Sequence, residues 1–175
     1  MTDKNLFKTC ELFYASHYFP LACFDNDGTL IKHYCSYDNF KNVFEHNIGQ
    51  YHADINPSIF TSYAGLYGAI KINKSGQTVL VGPYINKILT EDIFDHLIRQ
   101  ASLDWSEKEN LKQFFDSIPK YSYNQFLNLL SFLHFLVNKE EISVTEHFKV
   151  TDTKFMQNIG TKHSKDIWTE NQKFH

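Results

Sequence analysis

Two carboxylates two residues apart, Asp25 and Asp27, sit between the apolar run Phe19–Phe24 and a second apolar run that begins at Leu30. At the end of a strand, such a pair can hold a hard divalent cation through oxygen and aim one oxygen in line at phosphorus. The first carboxylate would then be a nucleophile and the second a general acid or base. The same residues also suit a tight bend. Asn, Asp and Gly tolerate positive φ, and Asp-Gly between apolar runs favours a hairpin. The two readings need different folds, so the elements around the bend decide between them.

Phe24-Asp25-Asn26-Asp27-Gly28-Thr29-Leu30 resembles the first motif of the haloacid-dehalogenase superfamily, DxDGT after a strand. That resemblance implies a small Mg²⁺-dependent phosphatase, with Asp25 as nucleophile and Asp27 as acid/base, carried on a strand inside a parallel sheet. It also implies a later Ser or Thr, a Lys and a further acidic pair. Ser62 or Thr78 and Lys87 could fill the first two places. The acidic pair is missing: Glu91-Asp92 falls at a predicted helix start, and no strand leads into Asp152. Without it the metal loses ligands and the charge on the transferring phosphoryl is poorly neutralised.

Other chemistry is thinly represented. His52-Ala53-Asp54 is a tight His/carboxylate pair, with no His-x₃-His or Cys/His cluster beside it, so no metal and no cofactor is implied. His134, inside a long apolar helix, reads as a histidine at the edge of the core. Cys23 falls in a predicted buried strand, where a thiol is normally inert. Tyr63, Tyr67 and Tyr84 cluster around a predicted hairpin and are the candidate ligand-binding residues, since Tyr offers an apolar wall and a polar handle. Ordinary packing is the competing explanation for each of them.

Composition narrows the class. The chain has 175 residues, 42% of them hydrophobic and 16% aromatic, with a formal net charge of -3. That length fits one domain with a real core. Arg99 is the sole arginine and no basic cluster is evident, so a DNA-gripping surface is not expected from these residues. Three cysteines with no CxxC spacing fit reduced thiols, and no apolar run nears the length of a membrane span. The expectation is a cytoplasmic protein with no membrane partner.

The hydrophobic periods supply the elements. Leu6, Phe7, Cys10, Phe13 and Tyr14 share a helical face over residues 3–16, closed by Pro20. Leu21–Phe24 and Thr29–Tyr34 make a hairpin around the acidic bend. Phe40, Val43, Phe44 and Ile48 mark a short helix, and Gln50–Ser58 reads as loop. Leu66–Ile72, the turn Asn73-Lys74-Ser75-Gly76 and Gln77–Val81 form a second hairpin, predicted to stop at Gly82-Pro83 because Pro cannot donate to a ladder. Glu91–Gln100 follows Thr90 as N-cap. Ser106–Glu109 reads as a capping box for a helix through Phe115, and Ser122–Gln125 as another for a helix to about Asn138. Pairing the two middle helices as a DNA-reading motif fails on charge, because Glu107, Glu109 and Asp116 would face phosphates. Hairpins with helices segregated to one side predict an α+β fold, a small antiparallel sheet flanked by helices, PAS/GAF-like, with a helical C-terminal part.

The hairpin FDNDG, then YGAIKI, TVLVGPYINKILTEDI, SIPKYSYNQFLNLLSFLHFLVN and EIS together resemble the N-terminal sensor region of AraC-type transcription regulators of low-GC Gram-positive bacteria, from about Leu12 to Val144. The resemblance implies a sensor domain over 1–140 and a polar linker or tail over 141–175, leading towards a helix-turn-helix domain absent from this sequence, as in a truncated or separately expressed sensor. It further implies a homodimer, a small-molecule effector and no catalysis. In that family the acidic bend is only a bend, and no ligand residues carry over.

Overall fold

In the computed structural model, residues 2–51 and 55–148 are described. The chain divides into two compact units, Met1–Ile142 and Ser143–His175. The first holds α1 (Asp3–His17), β1 (Leu21–Phe24), β2 (Leu30–Tyr34), α2 (Lys41–Ile48), β3 (Ser58–Thr61), β4 (Leu66–Lys71), β5 (Thr78–Tyr84), α3 (Glu91–Gln100), α4 (Lys108–Ser117) and α5 (Tyr123–Asn138), with short 3₁₀ turns ahead of α2 and α4. Of the second unit, residues 144–148 form a short helical turn. Residues 149–175 of the expected 141–175 tail, and the pair His52/Asp54, lie outside the described residues.

The five strands form one sheet in the order β2-β1-β5-β4-β3, and every neighbouring pair is antiparallel. The class is α+β, an antiparallel sheet with helices, as expected of the sequence. Both predicted hairpins form: β1 with β2 around the acidic bend, and β4 with β5 around Asn73–Gly76.

The helices are not segregated to one side. Strand residues alternate between faces, and both faces are covered. On one, Cys23 meets Cys10 of α1, a β-carbon at Gly68 would meet Leu130 of α5, and the ring of Tyr84 stacks on Phe126 at 4.8 Å. On the other, Tyr67 meets Phe44 of α2 at 6.3 Å. Phe40, just ahead of α2, in turn packs at 4.5 Å on Phe114 of α4. Two-sided cover explains why β1 and β5 are buried at every position rather than at alternate ones. Each such Phe adds about 1.5–3 kcal/mol of burial.

Three local expectations need correction. β5 does not stop at Gly82-Pro83 but continues to Tyr84, because the pairing with β4 shifts register between Leu66 and Gly68. The bulge absorbs the missing proline donor, and the Gly82 N–H donates to Pro20 O at 2.9 Å, carrying the pairing with β1 one residue beyond Leu21. Beyond the expected loop, Ser58–Thr61 adds an edge strand, β3. Ser106 does not cap α4. Instead Asp104 Oδ1 accepts the Ser106 N–H at 2.9 Å and starts a 3₁₀ turn over Trp105–Glu107, after which α4 begins at Lys108. The second capping box forms as expected: Ser122 Oγ accepts the Gln125 N–H at 3.1 Å, and Gln125 Oε1 accepts the Ser122 N–H at 2.8 Å.

Candidate functional site

The acidic bend is held by its own first residue. Asp25 Oδ1 accepts the N–H groups of Asp27 and Thr29, each at 2.9 Å. The Asp25 N–H donates to Thr29 O at 2.9 Å, and the N–H of Gly28, at φ +82°, donates to Asp25 O at 3.1 Å. One of the two carboxylate oxygens of Asp25 is thus engaged in closing a hairpin. β1 leads into the bend between two antiparallel neighbours, β2 and β5.

The residues nominated to complete a phosphatase are not gathered there. Thr78 pairs with Phe24 at the bend's end of β5, but Tyr84, at the other end, pairs with Leu66. Seven residues of strand put those ends roughly 20 Å apart at about 3.3 Å per residue. Lys87 follows Tyr84, and Ser62 donates its hydroxyl to Gly65 O at 3.1 Å beside Leu66, so both belong to the far end. Among the described residues no three His, Cys, Asp or Glu side chains converge as a cation site.

The three candidate tyrosines do not share a pocket either. Tyr67 is fully buried on the α2 face, stacked on Phe60 at 5.7 Å. Burial pushes its pKa far above the ordinary value. Tyr84 is buried on the α5 face against Phe126. Tyr63 alone is exposed. Its ring stacks on His96 at 3.6 Å between centroids, and Lys87 Nζ lies 5.8 Å from its centre. Cys23 and Cys10 are buried with their Sγ atoms 3.6 Å apart, and the contact with Cys10 and burial raise the Cys23 thiol well above its usual range.

Lys87 also lines a cleft of a size and lining that suit a small ligand. A cleft of about 510 Å³ opens between the β5–α3 loop, α3, α4 and the segment leading to α5. Ile85, Phe94, Phe115 and Ile118 give it apolar walls, and Ile88 in the loop is 90% exposed. Its size lies within the few-hundred to about 1,000 Å³ typical of small-molecule sites. The rim is charged. Glu91 bridges Lys108 at 2.6 Å and Lys112, and Lys108 also reaches Asp95 at 2.7 Å. These cations hold the Glu91 carboxyl below its usual range, and the two carboxylates raise Lys108 above its own. Lys87 is shifted down by burial.

Sequence reasoning missed this cleft. Its signal was Ile85, Ile88 and Leu89, apolar residues stranded between Pro83 and Thr90 in a stretch with no period. Compared with family models, curated proteins and solved structures, the chain gives no match. No helix among the described residues is long and apolar enough to cross a membrane.

Proposed function

We propose that residues 1–142 are a non-catalytic sensory domain of an AraC-type transcription regulator, which couples a small-molecule signal to a helix-turn-helix module carried on residues other than these. The observation that carries this reading is the cleft bounded by Ile85, Phe94, Phe115 and Ile118. A ligand there touches α3, α4 and the segment 118–120 that feeds α5, so it can favour one arrangement of those helices. A ligand shifts an equilibrium only by its differential affinity for the two arrangements, and a cleft shared between separate elements provides that difference. The resemblance of the segments between Leu12 and Val144 to that family supports the same reading. The use of Asp25 Oδ1 to close the bend supports a structural role for the acidic motif.

A homodimer belongs to the proposal. α5 has no Asp, Glu, Lys or Arg over Tyr123–Asn138, and Phe132 and Phe135 remain 47% and 41% exposed on it. A second copy would meet no like charge there.

Thermal shift against a metabolite panel tests the sensor. A ligand that binds only the native state at 100 times its Kd stabilises it by about 2.7 kcal/mol. At least one compound should raise the Tm of the wild type and leave Leu89→Trp, which fills the cleft, unmoved. If every hit acts equally on both proteins, the cleft is not the sensing site. Sequence-specific DNA binding by these residues alone would refute the modular arrangement.

A further inference from the structure

A second concavity, of about 670 Å³, lies between α1, the β4–β5 turn and the end of α5. It shares no lining residue with the α3–α4 cleft and does not depend on that cleft's role. Lys8 comes to it from α1, Lys74 from the turn and Lys139 from the C-cap of α5, and among the described residues no Asp or Glu lines it. In a chain with more acidic than basic residues, three cations from three elements around a groove that no described carboxylate lines make a local reversal of charge, with Glu140 and Glu141 following Lys139 outside the lining.

The lysines are only weakly neutralised. Lys8 meets Glu11 at 3.4 Å, but the two side chains are 62% and 58% exposed, and such surface pairs hold little. Lys74 and Lys139 have no carboxylate within ion-pair distance among the described residues. The C-terminal end of α5 contributes roughly half a negative charge, which leaves most of the positive potential in place.

The frame carrying these cations is fixed. Asn138 Nδ2 donates to Lys71 O at 2.9 Å, while its Oδ1 accepts the Asn73 N–H at 3.0 Å, clipping the end of α5 to the turn. Asn56 clips the same strand from the other side, accepting the Lys71 N–H and donating to Lys71 O, both at 2.8 Å. Lys139 itself occupies the left-handed region, φ +57°, where glycine is the favoured helix C-cap. A lysine there accepts backbone strain and places a cation at the groove. Leu12, Ile72 and Val137 add apolar wall beside the charges.

We infer that this groove binds a small organic phosphate, its dianionic head held by Lys8, Lys74 and Lys139 and its body against Leu12 and Val137. A single carboxylate would need only one of these cations. A phosphate spreads two charges over three oxygens and suits lysines, which act as mobile point charges. The apolar wall favours an ester over the bare ion.

Titration calorimetry of the full chain at constant ionic strength, with ribose 5-phosphate, inorganic pyrophosphate and ribose as probes, tests the inference. Both phosphates should bind and ribose should not. Lys74→Glu and Lys139→Glu should each weaken binding tenfold or more, with circular dichroism unchanged, while Lys41→Gln on α2 should leave it as in the wild type. The inference is overturned if neither phosphate binds, if the Lys74→Glu/Lys139→Glu double variant binds as well as the wild type, or if Lys41→Gln weakens binding as much as the groove variants do.

Discussion

Leu130 of α5 fills the space above Gly68 of β4: a β-carbon built at that glycine would collide with its Cδ2. The helix rests on the sheet because this strand position carries no side chain. Gly68→Ala should therefore destabilise the unit by about 1–3 kcal/mol, the usual cost of forcing a methyl into a filled core. Combined with Leu130→Ala, which leaves room for the new methyl, the two losses should be less than additive. Urea denaturation of both single variants and the double variant measures the coupling.

The bend between β1 and β2 gives a second expectation. Asp25→Asn keeps an acceptor oxygen for the N–H groups of Asp27 and Thr29, whereas Asp25→Ala leaves both without it. The Asn variant should stay near wild-type stability, and the Ala variant should lose about 1 kcal/mol or more. A reactive nucleophile would be told apart by activity alone: the wild type would hydrolyse a phosphate ester with Mg²⁺ and the Asn variant would not.

A pH dependence follows from the stack of Tyr63 on His96. Burial, and after it the charges of Arg99 and His46, hold the His96 pKa below its ordinary value. The unfolded chain therefore binds this proton more tightly than the native state does. Stability contributed here is present above about pH 6.5, the unperturbed value, and is lost as pH falls below it. The urea midpoint should drop between about pH 6.5 and 5, with a shallower slope in His96→Phe. An equal slope in that variant would assign the effect to other groups.

The thiols should be slow. Cys10 and Cys23 are fully buried and face each other at 3.6 Å, and burial pushes Cys35 up to about 11. Because the thiolate is the reacting species, iodoacetamide at about pH 8 should label the native protein far more slowly than a free thiol. All three cysteines should label at once in denaturant. Rapid native labelling of Cys23 would mean that α1 opens from β1.

Much of the fold was legible in the residues themselves. The capping box at Ser122–Gln125, the stripe of Leu6, Cys10 and Phe13, and the turn at Asn73–Gly76 are local signals, and all three form as their chemistry dictates. What failed was decided at longer range. Pro83 stays within β5 because the bulge opposite Tyr67 removes the need for its donor. Cover of both sheet faces depends on α1 and α5 returning together to one side, which no local period encodes. The α3–α4 cleft was equally hidden, since Ile85 and Ile118 line it from positions 33 apart in the chain. The tyrosines misled because closeness in sequence around a hairpin sends alternate residues to opposite faces, and Tyr67 and Tyr84 took opposite sides.

The sensory reading is tested most directly by amide NMR of the ¹⁵N-labelled full chain, titrated with a small-molecule library and, separately, with Mg²⁺ plus a phosphate ester. The account predicts hits that shift Ile85–Leu89, Phe94, Phe115 and Ile118 and carry through to α5, while Asp25–Thr29 stay in place. It is contradicted if no compound moves those cleft residues and Mg²⁺ with the ester instead shifts Asp25–Thr29 and releases phosphate.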